Sequence, residues 1–482
     1  MMPLLLSMLS PALAATLSVD PSDSTAYAAI QDAIDDAASG DTIEVVSGTY
    51  SECLDLSGKN LTIEGLSGSS ATTINGNGYC NFALVLDSSE TLSLTGFTIK
   101  NSSKRGVHVV GGDATFDDVA FDTMGDTANN GGAIYADTAD ITVKDSDFDN
   151  NTAYNGGAIY LTRSSTLSID GAVFEDNYAR YYGGAIYDAD TGETTVTDTT
   201  FAGNYTAHSG GTIFLNGAGT YASSDSTYTE TYAVYYGGAV YGGVDSALTF
   251  EDDTFDDTRT TSYGSDAYGG GAIHLRNRGA VDVTSSTFSD ARGRFGGAIY
   301  GTDENTITLT DTDVDDSYAY YGGAVALRYE GTLTISGGDF TSNEAYYSGG
   351  AIYSSNENDV SIDDATFTSN TTSTSYGGGL YSFYYDAVSI TDTTFDSNTA
   401  HSAGGGIYFQ QLYGTVTLAR NTFTNNTASG SHGGGIYVFH STGLNVSNTT
   451  FTSNTAYSAG GGIYSYYYGA LSLSDVVFDE NV

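Results

Sequence analysis

TLSIDGAVFEDNYARYYGGAIY (166–187) carries three signals in one stretch. TLSID alternates apolar and polar residues, Phe174 is followed three positions later by Asn177, and a Gly-Gly pair precedes Ile186 and Tyr187. The same order of signals returns along most of the chain. The apolar residue after each Gly-Gly-x triplet falls at Ile134, Ile159, Ile186, Ile213, Val240, Ile273, Ile299, Val325, Ile352, Leu380, Ile407, Ile436 and Ile463. The steps between them centre on about 27 residues, with one clearly longer step from Val240 to Ile273. A period of that length marks stacked supersecondary units, not one globular core.

Period-two alternation turns Leu167, Ile169 and Ile186 inward. Three short strands per period, joined by tight turns, make one coil of a parallel β-helix. Each strand then pairs with its equivalents about 4.8 Å above and below. Gly-Gly suits a turn that needs positive φ or close backbone approach. The Asn of F-x-x-N suits a turn whose amide bonds along the stack. Cys53 and Cys80 are separated by one such period, a single coil, which brings their Cα atoms within disulfide reach.

Composition agrees with an all-β chain. Of 482 residues, 61 are Gly and 39 Tyr, against 3 Pro and no Trp. β-branched, aromatic and turn-forming residues outweigh helix formers. The formal charge is −45, which argues against nucleic acid and anionic membrane surfaces as partners, since both need a basic footprint. It suits an extracellular protein, a salty habitat, or carboxylate rows that hold cations such as Ca²⁺.

The chain divides into four parts. Residues 1–15 read as a secretory signal peptide, with an apolar core Leu4–Leu13 and the cleavage pattern Ala12-Leu13-Ala14. No other apolar run approaches the roughly 20 residues of a transmembrane helix. Residues 16–41 hold a short amphipathic helix with the stripe Ile30, Ala33, Ile34 and Ala37, placed to cap the open end of the solenoid. Irregular coils occupy 42–120, and regular repeats run from 121 to 482, stopping mid-coil at FDENV (478–482). That stop leaves room for a longer chain or a covering partner.

The paired signature GGA[IVL] and F-x-x-N resembles the repeats of the chlamydial polymorphic membrane proteins. GDTIEVVSGTYSE (40–52) is similar to the opening of pectin-lyase-like solenoids. The resemblance implies a single-stranded right-handed parallel β-helix, or β-solenoid, displayed at the outer membrane or cell surface or secreted, with an adhesin role. The handedness comes from the resemblance, not from the spacing. The β-barrel translocator of that family has no counterpart in these residues, so the means of anchoring stays open.

Candidate site residues fall into a few groups. Arg259, Arg276, Arg278, Arg292, Arg294 and Arg328 are six of the ten arginines. They surround the coil swollen beyond the usual period by DDTRTTSYGSDAYG (256–269). Arg259 and Arg292 stand four after their Phe and stack in adjacent coils, as an anionic-sugar clamp or as partners of Asp257, Asp266 and Asp290. The residue after GGAI is Tyr ten times: Tyr135, Tyr160, Tyr187, Tyr241, Tyr300, Tyr353, Tyr381, Tyr408, Tyr437 and Tyr464. Alternation points this row outward, either as a stacking surface for sugars or protein, or as a structural ladder. Asp precedes the Phe position by three in nine coils, as turn former or Ca²⁺ ligand. No residue qualifies as catalytic or as a metal ligand on spacing alone. The polygalacturonase patterns NTD, GHG and RIK do not occur, and Lys59, Lys100, Lys104 and Lys144 all lie near the N-terminal end.

The residues favour a non-catalytic, adhesin-like protein that binds a host or environmental surface protein or polysaccharide. A polyuronate lyase or hydrolase is the alternative, and a structural stalk is the third.

Overall fold

The computed structural model describes residues 14–261, 269–414, 416–441, 443–467 and 470–482. The expected signal peptide therefore lies almost wholly outside the described residues, as does most of the extra length in the swollen coil. The coils stack into a solenoid in which every strand pairing is parallel. One coil consists of Thr166–Asp170, Val173–Glu175, Tyr178–Tyr182 and Ile186–Asp188. That is one strand more than the spacing predicts. The F-x-x-N turn does not end a strand run: the chain leaves Asn177 extended and forms a third face before reaching Gly-Gly.

The first two strands of each coil share a bent 33-stranded sheet, and the post-glycine strands form a 16-stranded sheet. The third face is built from sheets of five and six strands. Register is one-to-one between coils, so Phe148 stands on Phe174 and Phe174 on Phe201. Identical side chains therefore meet as ladders. The rings of Phe148 and Phe174 lie 4.4 Å apart, and those of Phe395 and Phe423 lie 4.9 Å apart. Stacked, fully buried rings contribute both apolar burial and offset-stacking attraction.

The turns account for the polar half of the repeat. The nine aspartates three before the Phe position all adopt the left-handed region, at φ between 43° and 55°. Asp tolerates that region better than most residues because its short side chain bonds locally. Asn177, buried at the next turn, donates Nδ2–H to Asn204 Oδ1 (3.0 Å) and to the Phe148 carbonyl (2.9 Å). The same pattern runs from Asn343 through Asn370, Asn398, Asn426 and Asn454 to Asn481. It lapses in the middle coils, where the buried hydroxyls of Thr231 and Thr258 have no partner.

Both glycines of the pair are required. Gly183 sits at φ +63°, and a Cβ on Gly184 would lie 1.9 Å from the Gly211 carbonyl oxygen of the next coil.

At the N-terminal end the helix Ile30–Asp36 buries Ile30, Ala33 and Ile34 against the first coils. Glu52 accepts from the Ile30 and Gln31 amides (3.0 and 2.9 Å), and Lys59 Nζ donates to the Ile34 and Asp35 carbonyls (both 2.7 Å). Both ends of this short helix are thus satisfied from the coil beneath. Cys53 and Cys80 form a disulfide between adjacent coils, with Cα atoms 5.6 Å apart. Among the described residues no helix is long and apolar enough to cross a membrane.

Candidate binding cleft

The outer face of the 16-stranded sheet carries the residue that follows GGAI. Ring stands on ring there: Tyr160–Tyr187 at 5.1 Å, Phe214–Tyr241 at 4.4 Å, Tyr408–Tyr437 at 4.8 Å. The row does project outward from the coil, but it is not an open surface. Tyr187, Tyr241, Tyr300, Tyr381 and Tyr408 are only 2–8% exposed, and Tyr135, Tyr160, Tyr353, Tyr437 and Tyr464 are half-buried. Rings from the stretch before Gly-Gly, such as Tyr182, Tyr236, Phe295 and Tyr376, fold over them. Alternation fixes which way a side chain leaves the strand, not what covers it.

The ladder changes character at two places. His274 stands between Tyr241 and Tyr300, and Ala326 stands between Tyr300 and Tyr353. Beside His274 and Tyr300 lies a cleft of about 500 Å³. Tyr236, Tyr241, His274, Arg276, Asn277, Tyr300, Thr302, Asp303, Arg328 and Tyr329 line it. A second, smaller cleft of about 170 Å³ continues along the same face past Tyr182, His208 and Phe214, sharing Tyr236, Tyr241 and Arg276.

Two guanidiniums frame the larger cleft. Arg276 is hydrogen-bonded to the Tyr241 hydroxyl, which holds its pKa above the ordinary value. Arg328 lies over the rings of Phe295 (4.9 Å) and Tyr329 (4.6 Å) and donates to the Tyr329 hydroxyl. Its buried Nε has no hydrogen-bond partner. On the strand of Arg276, His274 is 3% exposed and its Nδ1 also lacks a partner. Burial, and then the Arg276 charge, push its pKa down to about 3, so the imidazole is neutral.

The six candidate arginines do not converge on one site. Arg276 and Arg328 line the cleft. Arg278 pairs with Asp245 at 2.7 Å on the exposed surface. Arg259 and Arg292 bridge adjacent coils on the third face, where Arg259 meets Asp257 at 2.8 Å and Arg292 lies 3.9 Å from Asp290. Arg294 belongs to that neighbourhood, close enough to Tyr321 to favour its ionised form. Asp266 lies outside the described residues. Among the described residues no group of three or more His, Cys, Asp or Glu is arranged to hold a metal ion.

Sequence reasoning missed His274, Asp303 and Tyr329. The signal was in the exceptions to the repeat: GGAIH (270–274) and GGAVA (322–326) replace the tyrosine on either side of Tyr300. Chemically, the cleft offers two cations, aromatic walls and a neutral imidazole. Among the described lining residues, Asp303 is the one carboxylate.

No curated protein matches the chain. Among solved structures, it is similar to the PL6 family alginate lyase AlyGC, at 11% identity over 97% of this chain and 89% of that one, with a TM-score of 0.26. It is similar to the catalytic domain of a GH87 alpha-1,3-glucanase in complex with nigerose, at 12% identity over 96% and 68% of the two chains (TM-score 0.32). A thermostable GH87 alpha-1,3-glucanase catalytic unit from Streptomyces thermodiastaticus is 14% identical over 97% and 69% (TM-score 0.23). The family described as right handed beta helix region matches residues 63–278 and 297–482. The chain belongs to that right-handed β-helix family.

Proposed function

We propose that the protein is an exported, non-catalytic binding protein of adhesin type that engages a surface glycan through the cleft between Arg276 and Arg328. One observation carries the reading: two guanidiniums face a single aromatic-walled cleft in a chain with a net charge of −45. Arginine forks recognise anionic groups bidentately, and tyrosine edges supply apolar surface with a polar tip. Export is supported by the apolar Leu4–Leu13 run and by a Cys53–Cys80 disulfide, which persists in oxidising compartments. The GGA[IVL] and F-x-x-N pairing, similar to that of the chlamydial surface proteins, supports display at a cell surface or secretion. The test is incubation of the mature chain with a polysaccharide panel, with and without Ca²⁺, scoring retention and new chain ends. Retention without cleavage, lost in Arg276→Ala, is the expected result.

His274 favours a second reading, a polysaccharide-cleaving enzyme. His274 is among the residues lining the cleft, and imidazole is the side chain most often used to transfer a proton to or from a substrate. New chain ends in the same assay, abolished in His274→Gln, would replace the adhesin reading with this one.

A further inference from the structure

The cations of the cleft are spaced, and the spacing selects a ligand. Arg276 pairs in register with Thr302, and Thr302 with Arg328. The two arginines are therefore two coils apart along the axis, about 9.6 Å at about 4.8 Å per coil. The intervening coil offers Thr302, the Tyr300 ring and the Asp303 carboxylate to the cleft, and no cation. The cleft is also elongated along the axis, because its smaller continuation shares Tyr236, Tyr241 and Arg276 with it. A polymer laid along the solenoid fits that shape better than a compact ligand does.

One sugar of an extended glycan advances by close to the height of one coil. A chain that gives a carboxylate to each arginine thus leaves one sugar between them. A carboxylate on that middle sugar would face Asp303, and like charges so placed repel. A hydroxyl there can instead donate to the Asp303 carboxylate and meets the Thr302 side chain. The charge of the whole chain adds to this selection: at −45, a densely charged polyanion is repelled more strongly than a sparsely charged one.

We infer that the ligand is an acidic glycan carrying one carboxylate on every second sugar, a disaccharide-repeat polymer, bound along the axis with its carboxylates on Arg276 and Arg328. The inference rests on the glycan-binding reading above and narrows it. The test is titration of the full chain with three probes at equal sugar concentration and ionic strength. Hyaluronan has one carboxylate per disaccharide, polygalacturonate one per sugar, and dextran none. Hyaluronan is expected to bind at least about tenfold more tightly than either other polymer, and Arg276→Gln and Arg328→Gln each to weaken it about tenfold or more. Thr302→Arg, which supplies the missing cation, is expected to shift preference toward polygalacturonate. Tighter binding of polygalacturonate by the unmodified chain, still sensitive to both arginine variants, would overturn the alternation while leaving the cleft an acidic-glycan site. Equal binding of dextran, or binding indifferent to both arginine variants, would overturn the glycan reading of the cleft itself.

Discussion

Asp386 is a carboxyl sealed inside the solenoid, and its replacement by asparagine tests the logic of the polar interior. The side chain is fully buried. Its Oδ1 accepts from the Asn358 amide (2.9 Å), and its Oδ2 accepts from Ser354 Oγ (2.8 Å) and Ser382 Oγ (2.9 Å). Burial, opposed by those hydrogen bonds, pushes its pKa from 3.8 up to about 7. The unfolded chain loses this proton near the ordinary value, while the folded chain keeps it to near neutrality. The stability associated with Asp386 is therefore intact at acidic pH and falls as pH rises from about 4 to about 7. The gap between the two values corresponds to about 4 kcal/mol. Asparagine has the same shape, never ionises, and already fills the equivalent turn one coil earlier as Asn358. Asp386→Asn should match the wild type within about 1 kcal/mol at about pH 4 and exceed it by about 4 kcal/mol at about pH 8.5. Urea unfolding followed by circular dichroism at the two pH values measures both differences. A variant that is equally shifted at both, or less stable at the higher pH, would refute the reasoning.

Three further perturbations address the ladders and the cross-link. Asn398→Ala removes the acceptor of both the Asn370 amide (3.0 Å) and Asn370 Nδ2 (2.9 Å), leaving buried donors unpaired; a loss of about 3 kcal/mol in urea midpoint analysis is expected. Tyr381→Ala empties a covered ladder position stacked between Tyr353 and Tyr408, so thermal unfolding should show a cost of about 3 kcal/mol while glycan retention, carried by coils nearer the N-terminus, stays unchanged. Cys80→Ser opens the one-coil loop closed by the disulfide and should cost about 3–4 kcal/mol, read as the same loss of melting temperature that a reductant gives the parent chain.

The repeat made the architecture legible. Inward Leu, Ile and Phe at period two, glycine pairs at fixed offset and a step of one coil between the cysteines are local facts, and parallel stacking repeats each of them in every coil. The turn aspartates and the asparagine amides were readable for the same reason: their chemistry is spent on neighbours within one or two coils. The sequence by itself thus determined the solenoid, its period and what fills it. It did not determine what covers the outer face. Whether Tyr187 or Tyr381 meets solvent depends on the rings just before the glycine pairs folding back over the sheet, a packing that the alternation within the strand does not reveal. Part of the candidate site was hidden for a related reason. Arg276 and Arg328 share one cleft with His274, Asp303 and Tyr329 only because their coils stack in register, which is a property of neighbours from several coils. Repetition specifies the surface; only packing in three dimensions decides where it opens.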